Sequence, residues 1–226
     1  MSMLQRIFPN VSARMDEFYQ CTMDTLAMIA IVGSIAFVLS LLIAVVLTTT
    51  KKGGLYENAV IYQVFDKVIN LFRSIPFVIL ATTMIPLTRL VMGTAIGLRG
   101  AVFPLIIGIV PFFSRQIESS LLGVDTGLLE AAQSIGLTRP QIIWKVVLRE
   151  SIPGIAKVTS ITIVNLLALT AIIGIVGGGG LGDFAIRYGF QRYMFDASLA
   201  VVLVYLVLIY IVETVGKLVI SESSHG

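Results

Sequence analysis

The side chains that most often carry enzyme chemistry are nearly absent from this sequence. Histidine occurs once, at His225, and cysteine occurs once, at Cys21. A Ser-His-Asp triad needs a histidine beside its serine, and a zinc site needs about four ligands, mostly histidine or cysteine. A single cysteine also forms no disulfide within the chain. We therefore expect no catalytic site and no metal site, and we expect Cys21 to be a small apolar thiol.

A more informative pattern lies in residues 125–136, which predict a short helix with a signal at each end. Asp125 or Thr126 is suited to cap its N-terminus, and Glu130 lies in its first turns, where the helix dipole favours a carboxylate. Gly136 is suited to the left-handed conformation that ends many helices. The predicted helix has about two or three turns.

A second helix is predicted directly after this stop. Thr138 and Gln141 have the spacing of a capping box. Pro140 falls in the first helical turn, where its missing N–H costs little. The segment is therefore predicted to be two separate helices joined by a turn.

The first of these helices is too short to span a membrane or to form a core of its own. Ala131 and Ala132 favour helix and have almost no side chain, so another backbone can approach closely. Two interpretations remain open. The helix docks into a groove of a partner protein, or it lies on the membrane surface as a connector between spans.

Four consecutive glycines at 177–180 share only their composition with a phosphate-binding loop. No Gly-Lys-Ser or Gly-Lys-Thr sequence follows them, and no Walker-type motif occurs elsewhere in the chain. We therefore expect the chain not to bind ATP itself. The glycines are suited to end a helix, since each costs about 1 kcal/mol in a helix interior relative to alanine. A gating role for their conformational freedom is the alternative.

Asn165 lies in the middle of a long apolar segment, where an unpaired amide is costly. With Ser160 nearby on the same helix, it is a candidate for contact with a zwitterionic solute. The alternative is structural, because asparagine often bridges helices and serine often bonds its own helix backbone.

The elements that must position these residues are those of a membrane protein. Of the 226 residues, 57% are hydrophobic and 13% are charged, whereas a soluble domain has roughly 25% charged residues. The net charge is +3, but the basic residues are scattered and form no run, so we predict no nucleic-acid partner. A scattered basic excess is more typical of a membrane topology signal.

Five membrane-spanning helices are predicted. Residues 25–50 and 158–182 carry no charge, and a helix needs about 20 apolar residues to cross a bilayer. Two shorter apolar segments, at 74–88 and 100–114, must extend past their flanking charges to cross. The predicted spans are 24–50, 58–87, 91–121, 141–178 and 194–219, preceded by an interfacial leader at 1–20.

An odd number of spans places the two termini on opposite sides of the membrane. With the N-terminus outside, the inner loops and flanks hold ten basic residues and the outer ones hold six. Lysine and arginine are enriched on the cytoplasmic side. We therefore predict that the N-terminus is outside, that the C-terminus is cytoplasmic, and that residues 122–157 face the cytoplasm.

With this topology, the short helix resembles the EAA loop of ABC importer permeases, the coupling helix that docks into a cleft of the nucleotide-binding subunit. Glu130, Ala131 and Ala132, followed after three residues by Gly136, match that motif. Its continuation matches at 146–148.

One position departs from the motif, since Arg149 stands where the family usually has proline. Further blocks are similar to the methionine-import permeases within the same superfamily. These blocks lie at 70–77, 85–94, 111–115 and 177–189.

The resemblance implies a single all-α integral membrane domain over residues 1–226, with five transmembrane helices and the fold of a type I ABC importer permease. It implies a coupling helix at about 126–136 that contacts an ATPase. The residues carried over to that interface are Thr126, Gly127, Glu130, Ala131, Ala132, Ser134 and Gly136.

The resemblance also implies a function and a set of partners. The chain would be a transport subunit and not an enzyme, forming a homodimer in the bacterial cytoplasmic membrane and translocating methionine, including D-forms. Two cytoplasmic ATPase subunits would bind ATP and Mg, and an extracytoplasmic binding protein would deliver the solute. No cofactor is expected in this chain, and membrane lipid surrounds it.

Other functions remain as alternatives. A similar permease could carry another small polar solute or amino acid, because the binding protein does most of the selecting. A secondary transporter usually has inverted repeats and intramembrane acids, whereas no Asp or Glu lies near a predicted span centre. A passive scaffold or channel subunit is the third class, and for it the EAA spacing would be coincidence.

Overall fold

The computed structural model describes residues 6–223, with side chains through residue 220, and this described part contains helices and no strand. His225 and residues 1–5 of the predicted leader lie outside the described residues. Two π-helical turns, at Ile143–Val147 and Ala185–Phe190, continue α8 and α11. The helices are α1 (Pro9–Ser12), α2 (Met15–Thr50), α3 (Ala59–Ser74), α4 (Phe77–Thr83), α5 (Ile85–Met92), α6 (Gly97–Leu121), α7 (Thr126–Ser134), α8 (Arg139–Ile142), α9 (Leu148–Glu150), α10 (Ile152–Ile175), α11 (Gly180–Phe184) and α12 (Phe195–Ser223).

Four of the described helices are long and apolar enough to cross a membrane, namely α2, α6, α10 and α12. The first of them, α2, has 36 residues and is therefore about 54 Å long. Because the hydrocarbon core is roughly 30 Å thick, α2 extends beyond it. The later part of the predicted leader belongs to this helix, which begins at Met15.

The single helix predicted for residues 58–87 is wrong. Pro76 has a backbone ψ of 130°, so α3 and α4 are separate helices, and α5 follows after a further break. Proline lacks the N–H that a helix interior needs, and it disfavours the helical conformation of the residue before it, Ile75. The apolar composition was sufficient for a span, but the proline divides it.

The boundaries of the third and fourth predicted spans also shift. Gly93 ends α5 in a left-handed conformation with φ of 78°, so α6 begins at Gly97 and not near residue 91. The fourth predicted span is divided into α8, a π-helical turn, α9 and α10, with the last break at Ser151 before Pro153. This break lies beyond Arg149, which is itself helical.

The chain packs into two compact units. The first contains the described residues up to 35 together with 75–109 and 163–212. The second contains 36–74, 110–162 and the described residues from 213 onward.

Phe184 is at the centre of a core in the first unit. Its ring lies 5.2 Å from the ring of Phe18 and 4.8 Å from the ring of Tyr188, measured between centroids. Val11 of α1 and Cys21 of α2 are buried in the same core. Cys21, which was expected to be a small apolar thiol, is a free cysteine buried in this core.

The glycines at 177–180 end α10, as predicted. Gly177, Gly179 and Gly180 all have φ between 75° and 85°, a backbone region that residues other than glycine rarely adopt. They form the turn between α10 and α11, so their conformation is required by the fold.

Thr25 joins α2 to the start of α11. Its side chain is fully buried, and its Oγ1 accepts a hydrogen bond of 2.9 Å from the Leu181 N–H. The same hydroxyl donates to the Cys21 carbonyl at 3.0 Å. One hydroxyl therefore satisfies a backbone donor that has no partner within its own short helix.

Replacing Thr25 with valine is expected to destabilise the protein by about 1–3 kcal/mol, because the buried Leu181 N–H loses its acceptor. Thr22 is a matched control, since its hydroxyl donates only to the Phe18 carbonyl of its own helix, at 2.8 Å. Thr22→Val should change the free energy of unfolding by no more than about 0.5 kcal/mol. Unfolding of the purified variants in detergent measures both effects, and equal losses would contradict the role of Thr25.

Arg187 holds together a polar network in the first unit. Its Nη1 donates to Glu17 Oε1 at 2.6 Å and its Nε donates to Asp183 Oδ2 at 2.8 Å. The Tyr188 hydroxyl donates to the other oxygen of Glu17 at 2.6 Å. Burial alone would lower the pKa of Arg187, but the hydrogen bonds to Asp183 and Glu17 outweigh it and raise that pKa. The network ties α2 to the segment after the glycines.

Candidate functional site

The candidate coupling helix, α7, begins with a side-chain cap. Asp125 Oδ1 accepts a hydrogen bond of 2.7 Å from the Gly127 N–H, while Asp125 itself has an extended ψ of 128°. Of the two capping candidates, Asp125 therefore caps the helix and Thr126 is its first residue. The cap satisfies one of the free N–H groups at the helix start.

α7 ends at Ser134, and Gly136 forms the predicted glycine stop two residues later. Gly136 has φ of 81°, and its N–H donates to the Gln133 carbonyl at 3.0 Å. The Leu137 N–H donates to the Ala132 carbonyl at 3.1 Å. This pair of hydrogen bonds is the Schellman motif, which needs a left-handed residue at the position of Gly136. Both ends of α7 are thus fixed by local hydrogen bonds.

The outward face of α7 is apolar and unusually exposed. Leu128, Ala131 and Ile135 follow the i, i+3, i+7 spacing of one helix face, and all three are exposed, Ile135 to 78%. Thr126, Gly127, Glu130 and Ser134 are also exposed. Six of the seven residues proposed for a partner interface, Gly136 included, are therefore accessible.

Ala132 differs from the other candidates, because it is buried, with 5% exposure. Its neighbour Ala131 is exposed and points to a different face of α7, since successive residues of a helix lie about 100° apart. The small side chain of Ala132 lets α7 pack on the rest of the second unit. Ala131 and not Ala132 lies on the surface offered to a partner.

A cavity of about 370 Å³ lies against the inner side of α7. Thr48, at the end of α2, has a buried hydroxyl without a hydrogen-bond partner among the described residues. Packing under the helix is therefore incomplete in this part of the unit. The cavity lining includes Thr48, Lys51, Leu121, Leu129, Glu130 and Gln133.

The end of α6 and the start of α10 are held against each other. The Ser151 hydroxyl, at the break before α10, donates to the Ser120 carbonyl of α6 at 3.4 Å. A Cβ atom on Gly154 would lie 3.1 Å from the Cβ of Ser120, so the glycine permits this close approach. The end of α6 and the start of α10 are therefore in direct contact.

The second helix of the segment starts as predicted. The Gln141 Oε1 accepts a hydrogen bond of 2.9 Å from the Thr138 N–H, which is one half of the capping box. Trp144 lies in the π-helical turn that follows and is exposed. The side chain of Arg139 stacks on the ring of Tyr56, with 5.4 Å from its Cζ to the ring centroid.

The two pathway candidates have different surroundings. The Ser160 hydroxyl donates to the Ala156 carbonyl of its own helix at 3.2 Å and packs against the backbone of Gly216 in α12. These contacts favour the structural alternative for Ser160. Asn165 is half-buried, and its side chain has no hydrogen-bond partner among the described residues. Its amide therefore remains available to a partner chain, water or a solute.

A partly buried ionic cluster links α6 to α3. Arg115 donates to Glu118 Oε2 on the same helix at 2.6 Å and also to Asp66 Oδ1 of α3. The second oxygen of Asp66 accepts a bond of 3.2 Å from the Asn70 amide. The i, i+3 spacing of Arg115 and Glu118 indicates their pairing, but no local pattern indicates Asp66.

Residues 6–223 contain no group of three or more His, Cys, Asp or Glu side chains placed to hold a metal ion.

Comparison with known proteins agrees with this arrangement. The family model for binding-protein-dependent transport system inner membrane components matches residues 36–221. A probable D-methionine transport system permease protein MetI of Vibrio cholerae serotype O1 is 46% identical over 210 residues, covering 93% of each chain. The methionine import system permease protein MetP of Bacillus subtilis is 36% identical over 217 residues, covering 96% of this chain and 97% of that one.

Solved structures extend the similarity to three dimensions. A chain of the MetNI methionine ABC transporter, in an inward facing conformation, matches with a TM-score of 0.89 at 36% identity, and 99% of each chain is covered. A chain of an amino acid ABC transporter with histidines matches with a TM-score of 0.78 at 20% identity, over 95% of this chain and 98% of that one. The second likeness concerns the fold alone.

Proposed function

Since the chain belongs to the family of binding-protein-dependent transport system inner membrane components, we propose that it is the membrane-spanning subunit of an ATP-driven methionine importer. Its all-helical fold is that of a type I ABC importer permease, and ATP hydrolysis resides in separate subunits. The observation that carries the substrate assignment is the nearly full-length similarity to two permeases, from Vibrio and Bacillus, whose names agree on methionine.

In this function, α7 is the element that an ATPase subunit grips. Its capped ends make it a rigid unit, and its exposed Leu128, Ala131 and Ile135 form an apolar face of the kind that enters a groove. Glu130 makes no ion pair with a described residue, so its carboxylate is free to pair with a base of the partner. ATP and Mg bind to the ATPase and not to this chain.

Movement of α7 is transmitted along the chain to α6 and α10. The Ser120–Ser151 hydrogen bond and the close approach at Gly154 hold the end of α6 and the start of α10 together. Closure of the ATPase subunits on ATP would therefore move the ends of both helices as one body. Two discrete packings of the membrane helices, biased by ATP and by the loaded binding protein, are what such a cycle requires.

A second copy of the chain completes the pathway. The half-buried amide of Asn165 lies on a span and lacks a partner among the described residues, and an unpaired amide inside a membrane is costly. A homodimer with the pathway along its axis would give this amide water or solute to contact. The family description names a binding protein, which would deliver methionine to the outer side.

The orientation of the chain can be tested by labelling single cysteines. In a Cys21→Ala background expressed without the ATPase, Ile135→Cys should be protected from an impermeant maleimide in right-side-out spheroplasts and should react after permeabilisation. Tyr193→Cys should react before permeabilisation, because Tyr193 is exposed in the segment before α12. The basis is the cytoplasmic enrichment of basic residues. The reverse labelling pattern would contradict the proposed orientation.

Uptake of radiolabelled methionine tests the function directly. Proteoliposomes containing the chain and its ATPase, with the binding protein on the outer side and ATP inside, should accumulate L-methionine, and D-methionine should compete. Omitting ATP should abolish accumulation. Uptake that needs no ATPase would contradict the importer assignment. If a different amino acid competes more strongly than methionine, the assignment as an importer would stand and the assignment of its substrate would change.

A further inference from the structure

The cluster formed by Asp66, Arg115 and Glu118 is more buried than a surface ion pair. Their side chains are 33%, 19% and 6% exposed, respectively. Ile117 and Leu121, on the same stretch of α6, are buried as well. A carboxylate as buried as that of Glu118 is costly unless it has a close partner of opposite charge.

We propose that these three residues are positioning residues that make α3 move with the coupling helix, and this inference rests on the proposed function. Arg115 is suited to the role because its planar guanidinium presents two separate N–H edges. One edge holds Glu118 on α6, and the other holds Asp66 on α3. A lysine, with a single ammonium group, does not offer this geometry.

The cluster lies close to α7 along the chain. Glu118 precedes the end of α6 by one turn, and its carbonyl accepts the Leu122 N–H at 2.9 Å. Leu121 and Leu122 then line the same cavity as Leu129 and Glu130 of α7. Arg115 lies less than two helical turns before the end of α6, so a displacement of α7 that moves this end also moves Arg115.

The ion pair between Arg115 and Asp66 adds α3 to the helices that would move with α7. The contacts of Ser120 with Ser151 and Gly154 already join α6 to α10. Without Arg115, the side-chain charges that join α6 to α3 would be unpaired, and α3 could lag behind a movement of α7. ATP hydrolysis would then continue while less solute crosses.

The test compares Arg115→Gln with the wild type in the complete complex, including ATPase and binding protein, in proteoliposomes. Methionine transported per ATP hydrolysed should fall about tenfold, while the ATPase rate should stay within about twofold of the wild type. Lys67→Gln is the matched control, since Lys67 lies beside Asp66 on α3 and is exposed. It should transport as the wild type does.

Each outcome has a separate meaning. Normal coupling in Arg115→Gln would overturn the inference and leave the importer assignment intact. A wild-type complex without ATP-dependent uptake would contradict the proposed function itself. Equal loss of ATPase and transport would assign the cluster a structural role only.

If Arg115→Gln does not insert into the membrane, a chemical cross-link between α3 and α6 tests the same proposal. In the Cys21→Ala background, Asp66→Cys with Arg115→Cys removes both charges of the pair between helices and should be uncoupled. Joining the two thiols with a bifunctional methanethiosulfonate reagent should restore coupled transport, because α3 and α6 are expected to move together. Failure of the cross-linked complex to transport would overturn the inference.

Discussion

Replacing Ala131 with tryptophan is expected to detach the ATPase and to abolish ATP-driven uptake while leaving membrane insertion intact. Ala131 lies on the exposed face of α7 between Leu128 and Ile135, so an indole there would collide with a closely fitting groove. Overpacking typically costs about 1–3 kcal/mol, and each 1.4 kcal/mol is about tenfold in affinity. Co-purification with the ATPase and uptake in proteoliposomes measure the two effects.

Two neighbouring substitutions separate docking from folding. Ala131→Ser keeps the side chain small and should retain ATPase binding. Ala132→Trp places the indole inside the chain, because Ala132 is buried, and should lower the thermal stability of the isolated subunit. Wild-type uptake by Ala131→Trp would rule out this face of α7 as the docking surface, whatever the result at Ala132.

The coupling helix was largely predictable because its determinants are local. An aspartate cap at Asp125 and a glycine stop at Gly136 act within one turn of the helix ends, and both are found as expected. The difference between Ala131 and Ala132 could not be read in the same way. Both residues are alanine, so residue type does not distinguish them. Only the packing of the whole unit decides which of the two faces inward.

The ion pairs that no sequence pattern predicted join residues far apart in the chain. Asp66 and Arg115 are 49 residues apart, and Glu17 and Arg187 are 170 apart, so no periodicity connects the partners. The division of the predicted span at 58–87 is a different failure. Pro76 is a local signal for a break, but an overall count of apolar residues gives a single proline too little weight.

Replacing Gly182 with valine is expected to prevent correct folding of the first unit. A Cβ atom at Gly182 would lie 2.7 Å from the Cα of Ala171, and one at Gly174 would lie 2.5 Å from the carbonyl carbon of Gly182. The backbones of α10 and α11 therefore touch directly, and neither can yield as a side chain would. The free energy of unfolding should fall by about 3 kcal/mol or more, the upper end of the overpacking range.

Gly33→Ala is the matched control for this prediction, because a Cβ atom at Gly33 meets only the Leu166 side chain, at 3.9 Å. Gly33 lies within α2, where alanine is favoured over glycine by about 1 kcal/mol, so this variant should be as stable as the wild type or more so. Thermal unfolding and the yield of monodisperse protein in detergent compare the two. A stable Gly182→Val protein would mean that α10 and α11 can separate, and the glycines at 177–180 would then act as a hinge and not as a fixed turn.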